Sequence, residues 1–230
     1  MVDVFGGSAI VALNCKNKGI IYNDKFEGLY NFFKVIQTNG EELKRKLDIT
    51  LYCENEYRRC SENWRTETNE IEKARMFYVA TMQSRCHTGA MQKPKQWRRS
   101  KDAVKKRKVP KYVSQWRTNI EINLPKCIEK FKEIEISNED ALNCIDRYNS
   151  ENFVLYIDPP YIKSTRNTKE DIYEHEYTDE DHKILVDKLK NIKASAILSG
   201  YDNELYDELL EFGWDKEYSF NKKEVLWYKI

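Results

Sequence analysis

The stretch FVLYIDPPYIKSTR, residues 153–166, joins an apolar run to an acid, two prolines and a tyrosine. The apolar residues predict a buried strand that ends at Asp158. Two adjacent prolines fix two φ angles and remove two backbone donors, and Pro159 also restricts the backbone of Asp158. The stretch therefore predicts a stiff, extended segment that holds a carboxylate and an aromatic ring at fixed positions.

Strands and helices alternate on both sides of this stretch. Strand candidates are MVDVFGG (1–7), GIIYND (19–24), FKEIEISNED (131–140) and SAILSGY (195–201), and helical segments are predicted near 25–37, 139–148, 179–190 and 203–211. This alternation predicts an α/β fold with a mostly parallel sheet, and the tail predicts an antiparallel hairpin around 221–223. Ligands of such folds bind at the carboxyl ends of the strands. The polar residues there are Gly6, Gly7, Asp24, Asp140, Asp158 and Ser199.

The middle of the chain, residues 51–127, interrupts the alternation. Between Lys93 and Lys111 there are ten Lys or Arg residues and one acid, Asp102, and tryptophans lie within and just after this run. A solvated basic loop is one interpretation, and a nucleic-acid contact surface is the other. The candidate DNA contacts are Lys93, Lys95, Trp97, Arg98, Arg99, Lys105, Lys106, Arg107, Trp116 and Arg117.

Composition excludes several classes of protein. The net charge is +1, and the sequence has no apolar stretch of about 18 residues that could span a membrane. The start of the chain lacks a basic leader, so no signal peptide is predicted and we expect a cytoplasmic protein. The cysteines form no CxxC pair and are expected to be reduced thiols. Cys53, Cys60, Cys86 and His87 do not have a standard zinc spacing, so no metal is predicted.

Three motifs occur in an order that suggests a family. They are VFGGSAIVALN (4–14), IIYNDKFEGLYNFFKVI (20–36) and YIDPPY (156–161), which contains a DPPY motif. In this order they resemble the adenine-specific (N6) DNA methyltransferases of the Dam-like class, including phage-encoded members. ILSGYDNELYDEL (197–209) and the tail EVLWYKI (224–230) also resemble that class.

The resemblance implies a Rossmann-like α/β sheet of the S-adenosylmethionine-dependent methyltransferases with a C-terminal antiparallel hairpin. Residues 1–50 and 128–230 are then expected to form a discontinuous catalytic domain. Residues 51–127 are expected to form an inserted, mainly helical target-recognition domain that binds DNA.

The resemblance also implies roles for single residues. The catalytic set is Asp158, Pro159, Pro160 and Tyr161. The Asp158 carboxylate and the Pro159 carbonyl accept hydrogen bonds from the target amino group, and Tyr161 stacks on a base that has left the duplex.

The resemblance further implies the cytoplasm of a bacterial or phage-infected cell as location and S-adenosyl-L-methionine as cofactor. Its expected contacts are Phe5, Gly6, Gly7, Ser8, Asp24, Asp140, Ala141 and Asp158. Asp24 could hold the ribose or cap the following helix. Asp140 could accept from the cofactor's adenine or act as a helix N-terminal acid, and Glu139 is the competing choice. Ser8 and Ala9 stand where many relatives have further glycines.

The expected function is methyl transfer from S-adenosyl-L-methionine to the N6 amino group of adenine in double-stranded DNA. Cytosine-N4 methylation is an alternative, although Asp at position 158 favours adenine over it. A second alternative is an inactive DNA-binding relative. The family usually has a cofactor-binding glycine–lysine segment before the first strand, whereas this sequence begins at the strand itself. The sequence does not predict the recognised site or the oligomeric state. It also leaves open a role in restriction–modification, phage protection or replication marking.

Overall fold

The chain folds into two compact units in a computed structural model that describes residues 1–16, 19–85, 90, 96–100, 109–162, 177–219 and 224–230. The first unit comprises Met1–Phe26 and Ile134–Ile230, and the second comprises Glu27–Glu133. Helix α2, Glu27–Asp48, therefore belongs to the second unit. The sequence-based boundary at residue 50 had grouped this helix with the sheet.

The first unit is built on a sheet of seven strands within the described residues. They are β1 Val2–Asp3, β2 Ile20–Asn23, β3 Ile134–Ser137, β4 Val154–Ile157, β5 Ser195–Tyr201, β6 Asp215–Tyr218 and β7 Glu224–Lys229. Their order is β3-β2-β1-β4-β5-β7-β6. β1 to β5 are parallel, whereas β7 is antiparallel to both β5 and β6. The predicted α/β class is confirmed, and the turn predicted at 221–223 lies outside the described residues.

Short helices surround this sheet. They are α1 Ile10–Asn14, α7 Ala141–Arg147, α8 Asp179–Lys190 and α9 Glu204–Asp207, and a 3-10 turn, Glu208–Phe212, follows α9. α8 starts with a capping box, in which Thr178 and Asp181 satisfy each other's backbone N–H groups. Leu155 and Trp227 are fully buried between sheet and helices. The Trp227 indole Nε1 donates to Asp207 Oδ1 at 2.9 Å, which ties α9 to β7.

The strand order fixes where a ligand can bind. Val2 of β1 pairs with Ile21 of β2 on one side and with Leu155 of β4 on the other. β2 and β3 lie on one side of β1, and β4 and β5 lie on the other. This reversal is the topological switch point, where folds of this class have a ligand-binding crevice at the carboxyl ends of the strands.

The second unit is helical in its regular elements, as far as the chain is described. It contains α2, α3 Glu54–Asn63, α4 Glu70–Met82, α5 Lys111–Thr118, a π-helical stretch Asn119–Asn123 and α6 Leu124–Phe131. Aromatic rings fill its interior: Phe33 stacks on Phe131 at 4.5 Å between ring centroids, and Phe32 stacks on Tyr78 at 5.5 Å. Such offset contacts add to the stability that burial provides.

A buried arginine links the helices of the second unit. Arg75 of α4 is 6% exposed. Its guanidinium donates to Glu72 at 2.7 Å, to Glu56 of α3 at 2.8 Å and to Thr50 at 3.0 Å. Because two of these acceptors are carboxylates, the positive charge of the buried guanidinium is compensated inside the protein.

We predict that Gly40→Ala destabilises the protein although alanine favours helices by about 1 kcal/mol. α2 leaves helical geometry at Asn39, and a Cβ on Gly40 would lie 2.8 Å from Ile128 Cγ1 of α6. Overpacking of this kind costs about 1–3 kcal/mol. Urea unfolding measures the change.

A double-mutant cycle supplies the control. In the Ile128→Ala background the same Gly40→Ala change should be neutral or stabilising, because the obstructing atoms are gone. Equal destabilisation in both backgrounds would contradict the steric explanation.

Candidate active site

Three carboxylates converge at the carboxyl edge of the sheet. Asp3 ends β1, Asp24 directly follows β2, and Asp158 directly follows β4. Burial raises the pKa of Asp3 to about 7, a hydrogen bond from the Ala12 backbone opposes this, and the charges of Asp158 and Asp24 add to the rise. Asp158 and Asp24 are therefore close enough to Asp3 to raise its pKa.

Asp3 is a site residue that the sequence analysis did not single out. It is 1% exposed, and its Oδ2 has no hydrogen-bond partner in the described structure. An acid within the apolar run MVDVF was the available signal, since buried acids are rare without a partner.

A tight turn follows β1. Gly6 donates its N–H to the Asn23 carbonyl at 2.7 Å, and a Cβ on Gly6 would lie 2.2 Å from Cε2 of Tyr22. The Tyr22 hydroxyl donates to the Gly7 carbonyl at 2.9 Å, and Gly7 has a φ of 49°. Glycine is thus required at position 6 by close packing and favoured at position 7 by conformation.

Ala9 has a left-handed backbone with a φ of 59°. Left-handed geometry costs a residue with a Cβ about 1–2 kcal/mol. The backbone at position 9 thus has the conformation that glycine adopts most easily, although the residue is alanine. Of the other predicted cofactor contacts nearby, Ser8 is exposed and Phe5 is half-buried, with its ring 5.4 Å from that of Tyr177.

Asp24 closes this turn. Its Oδ2 accepts the Gly7 N–H at 2.8 Å, and its Oδ1 accepts the Phe26 N–H at 2.7 Å. The second contact resembles the capping alternative, since it holds the backbone just before α2. Each carboxylate oxygen has two lone pairs, so an oxygen that accepts one N–H can also accept a second donor.

Asp140 is the N-cap of α7, where its Oδ1 accepts the Leu142 N–H at 3.0 Å. Lys25 donates to Asp140 Oδ2 at 2.9 Å. Burial raises the pKa of Asp140, but the bonds from Lys25 and Leu142 outweigh it, and the net pKa lies below the usual value. The competing choice, Glu139, pairs with Arg147 at 3.1 Å. The next residue, Ala141, is buried at the start of α7.

The segment after β4 holds Asp158 in a desolvated position. Pro159 and Pro160 are buried and Asp158 is half-buried, while its Oδ1 is a buried atom without a hydrogen-bond partner in the described structure. Burial raises the pKa of Asp158 to about 6, a hydrogen bond with the Ser199 side chain opposes this, and the charge of Glu224 adds to the rise. A buried oxygen without a partner is an acceptor that lacks a donor.

Two aromatic rings pair close in the chain to this carboxylate, one three residues after it and one at the end of the neighbouring strand. The ring of Tyr161 lies 4.6 Å from that of Tyr201 at an angle of 67°. Tyr201 ends β5, next to the strand that carries Asp158. The pair provides an apolar surface of the kind on which a planar ring stacks. Sequence analysis named Tyr161 but not Tyr201.

The predicted DNA contacts are only partly described. Lys93, Lys95, Lys105, Lys106 and Arg107 lie outside the described residues. Trp97 is half-buried, and its Nε1 donates to Gln83 at 3.4 Å. The Arg98 guanidinium lies 4.2 Å from the ring centre of Tyr112, whereas Arg99 is exposed and pairs with Glu54 at 3.2 Å.

Trp116 and Arg117 differ in exposure. Trp116 is 6% exposed and packs against Tyr78 at 5.6 Å, so it contributes to the interior of the second unit. Arg117 is exposed and pairs with Glu121 at 3.2 Å. Of these two, Arg117 is the residue that a nucleic acid can reach.

The sheet and the residues at its carboxyl edge define the class of protein, an α/β methyltransferase with a glycine turn after β1 and acids after β2 and β4. The chain belongs to the D12 class N6 adenine-specific DNA methyltransferase family, whose model matches residues 1–226. The resemblance to the Dam-like class is thereby confirmed. The family implies S-adenosylmethionine as methyl donor and DNA as substrate. No curated protein matches the chain significantly.

Metal-binding clusters and membrane-spanning helices are both absent from the part of the chain that the structure describes. Within the described ranges, no group of three or more His, Cys, Asp or Glu residues could hold a metal ion. No described helix is long and apolar enough to cross a membrane.

We predict that Asp3→Asn makes the protein more stable at pH 8 but not at pH 4. The folded-state pKa of about 7 lies above the ordinary 3.8, so the wild type loses stability as the pH rises from 4 through 7. The amide cannot ionise and keeps an acceptor for the Ala12 N–H. The gain at pH 8 should be on the order of 2–4 kcal/mol.

Thermal unfolding across this pH range provides the measurement. Asp215→Asn, at an exposed site on β6, is the matched control and should leave the pH dependence unchanged. A constant difference between Asp3→Asn and the wild type from pH 4 to pH 8 would refute a desolvated Asp3.

Proposed function

We propose that this chain transfers a methyl group from S-adenosyl-L-methionine to the N6 amino group of adenine in double-stranded DNA, with Asp158–Tyr161 as the catalytic segment. The observation that carries the proposal is the buried Oδ1 of Asp158, which lacks a hydrogen-bond donor. An amino group placed against the adjacent aromatic rings can supply that donor.

The chemistry of the target explains why acceptors are needed. The lone pair of an exocyclic adenine amine is delocalised into the ring, which makes the nitrogen a poor nucleophile. Hydrogen bonds to the Asp158 carboxylate and to the Pro159 carbonyl draw on both protons and localise the lone pair on nitrogen. Acceptors that are already in place need no reorganisation during the reaction, and the two prolines provide the necessary stiffness.

Tyr161 is proposed to receive the base. Moving a base out of the duplex costs a few kcal/mol, and stacking on an aromatic side chain returns about 1–3 kcal/mol per base. The edge-on contact with Tyr201 restricts the Tyr161 ring before the base arrives. The cost of ordering the ring is therefore already met.

The residues at the carboxyl edge fit the expected cofactor. When bound, S-adenosyl-L-methionine supplies an electrophilic methyl group on a positively charged sulfonium. The turn of Phe5, Gly6, Gly7 and Ser8 is proposed to contact its methionine part. Asp24 is proposed to accept from the ribose hydroxyls and Asp140, with Ala141, to contact the adenine.

Charge supports this fit. Asp158 and Asp24 raise the pKa of Asp3, whose Oδ2 is buried without a partner in the described structure. A cationic ligand near Asp3 relieves that repulsion, and S-adenosyl-L-methionine would bring such a charge when bound.

The second unit and the basic segment 93–111 are proposed to recognise DNA. Among the described residues, Arg99 and Arg117 are exposed cations, and such side chains suit phosphate contacts. The half-buried Trp97 and the buried Trp116 are assigned to packing rather than to base stacking. DNA affinity in this proposal is mainly electrostatic.

We predict that Asp158→Ala and Asp158→Asn abolish methyl transfer and leave cofactor affinity within a few fold. The first change removes the acceptor, and the second removes its negative charge. Formation of N6-methyladenine, measured by mass spectrometry of digested genomic DNA, reports the reaction, and calorimetry with S-adenosyl-L-methionine reports binding. Asp215→Asn serves as a folded control with wild-type turnover. Near-normal turnover of either variant would remove Asp158 from the mechanism.

The proposed DNA contact predicts a strong dependence of affinity on salt. If four of the basic residues in 93–111 each neutralise one phosphate, they contribute about −3.6 to the slope of log K against log salt. Replacing Arg98, Arg99, Lys105 and Lys106 with Gln should flatten the slope by up to this amount. Fluorescence anisotropy of duplex DNA at several salt concentrations measures it.

A triple variant of Lys183, Lys188 and Lys193 to Gln, on α8 or shortly after it, is the control, because it removes the same kind of charge from the first unit. It should keep the wild-type slope. Identical slopes for the wild type and the quadruple variant would assign the basic segment to a solvated loop.

A further inference from the structure

We propose that Ser199 is a positioning residue for Asp158: its hydroxyl holds one carboxylate oxygen, which leaves Oδ1 directed at the target amino group and keeps the acid ionised. Its role in turnover rests on the function proposed above. The contact between the two side chains does not rest on that function, so the two ideas can be tested separately.

Strand pairing places the two residues side by side. β4 and β5 are parallel, and Ile157 pairs with Leu198. The next residue on each strand is therefore Asp158 on β4 and Ser199 on β5. Ser199 is 6% exposed, and its side chain lowers the pKa of the neighbouring Asp158. Oδ1 of Asp158 is buried without a partner, so the proposed bond from the Ser199 hydroxyl goes to the other carboxylate oxygen.

The end of β5 has little freedom to move. Side chains alternate along a strand, so Ser199 and Tyr201 share the face that adjoins the catalytic segment, and Gly200 faces the other side. There a Cβ on Gly200 would lie 3.1 Å from Tyr206 Cε2. Asn203, just beyond the strand, caps α9 through the Tyr206 N–H at 2.8 Å. A hydroxyl on this strand end is thus held in place.

The charges around Asp158 explain what the hydroxyl achieves. Burial raises the pKa of Asp158, and Glu224 of β7 adds to the rise, whereas the Ser199 bond lowers it. Asp3 of β1 interacts with the Asp158 charge, as do Tyr156 on its own strand and the buried Tyr206 of α9. All of these neighbours are acids or phenols. Without the hydroxyl, nothing among these groups favours the ionised acceptor.

The first experiment measures the contact without any turnover. The carboxyl carbon of Asp158 is followed by ¹³C NMR between pH 4 and pH 9 in wild type, Ser199→Ala and Ser199→Thr, with Asp158→Asn to assign the signal. We expect the titration of Ser199→Ala to move up by about one pH unit, the scale of one hydrogen bond to a charged group. Ser199→Thr keeps the hydroxyl and should titrate like the wild type.

The matched control is Ser195→Ala, which removes a hydroxyl from the start of the same strand, opposite Val154. It should leave the titration of Asp158 unchanged. An unchanged titration in Ser199→Ala would overturn the proposal, as would equal displacement by both alanine variants. If Ser199→Ala does not fold, the titrations of Asp158 in Ser199→Thr and Ser195→Ala decide the matter. A titration that lies higher in Ser199→Thr than in Ser195→Ala would overturn the proposal, because the retained hydroxyl would then fail to keep the acid ionised.

The second experiment tests the role in turnover. Single-turnover rates of N6-methyladenine formation are measured against pH, and the acid limb for Ser199→Ala should lie about one pH unit higher than for the wild type. Its rate at pH 6.5 should fall at least several fold and recover towards pH 8.5. A rate loss that is equal at every pH would indicate a general structural defect and contradict the positioning role. Absence of product from the wild type would refute the proposed function, while the NMR result on Ser199 would stand.

Discussion

The first unit depends on the pairing of β1, a strand of only two residues, with two neighbours at once. Val2 and Asp3 lie between β2 and β4, and the order of strands reverses around them. The reversal is what brings residues 24 and 158 to one crevice although 133 residues separate them in sequence. A site of this kind cannot form from either half of the chain alone, because each half supplies one wall.

Desolvation is the common feature of the groups that face the crevice. Asp3 and Asp158 both have raised pKa values, which means that folding places carboxylates where their charge is unfavourable. Burying these carboxylates lowers the stability of the folded protein, and it provides acceptors to which a ligand can donate hydrogen bonds. The residues around them are correspondingly well held: Tyr22 lies against Gly6, the turn is closed by Asp24, and two prolines stiffen the segment at Asp158.

Much of this arrangement could be predicted from the sequence because it depends on residues that are adjacent in the chain. An apolar run that ends in Asp-Pro-Pro-Tyr, and another that ends in Asn-Asp, place Asp158 and Asp24 at strand ends without reference to anything distant. Asp3 could not be found in this way, since its burial and lack of a partner depend on strands that are remote in sequence. Trp116 looked like part of a basic surface because the sequence does not reveal that Tyr78 lies against it. The assignment of α2 to the second unit likewise depends on its packing against α4 and α6, and periodicity reports only that the segment is a helix.

Ala9 illustrates how a turn can keep its shape while its residues change. A search pattern that demands glycine at each left-handed position would pass over this chain, whereas a comparison of backbone angles would not. The same residue also marks a place where the protein has not been optimised for stability. Glycine there would relieve the left-handed strain but would give the unfolded chain more freedom, so alanine trades a strained native turn for a more restricted unfolded state. The choice between alanine and glycine at position 9 is then governed by a balance between backbone strain in the folded state and chain entropy in the unfolded state.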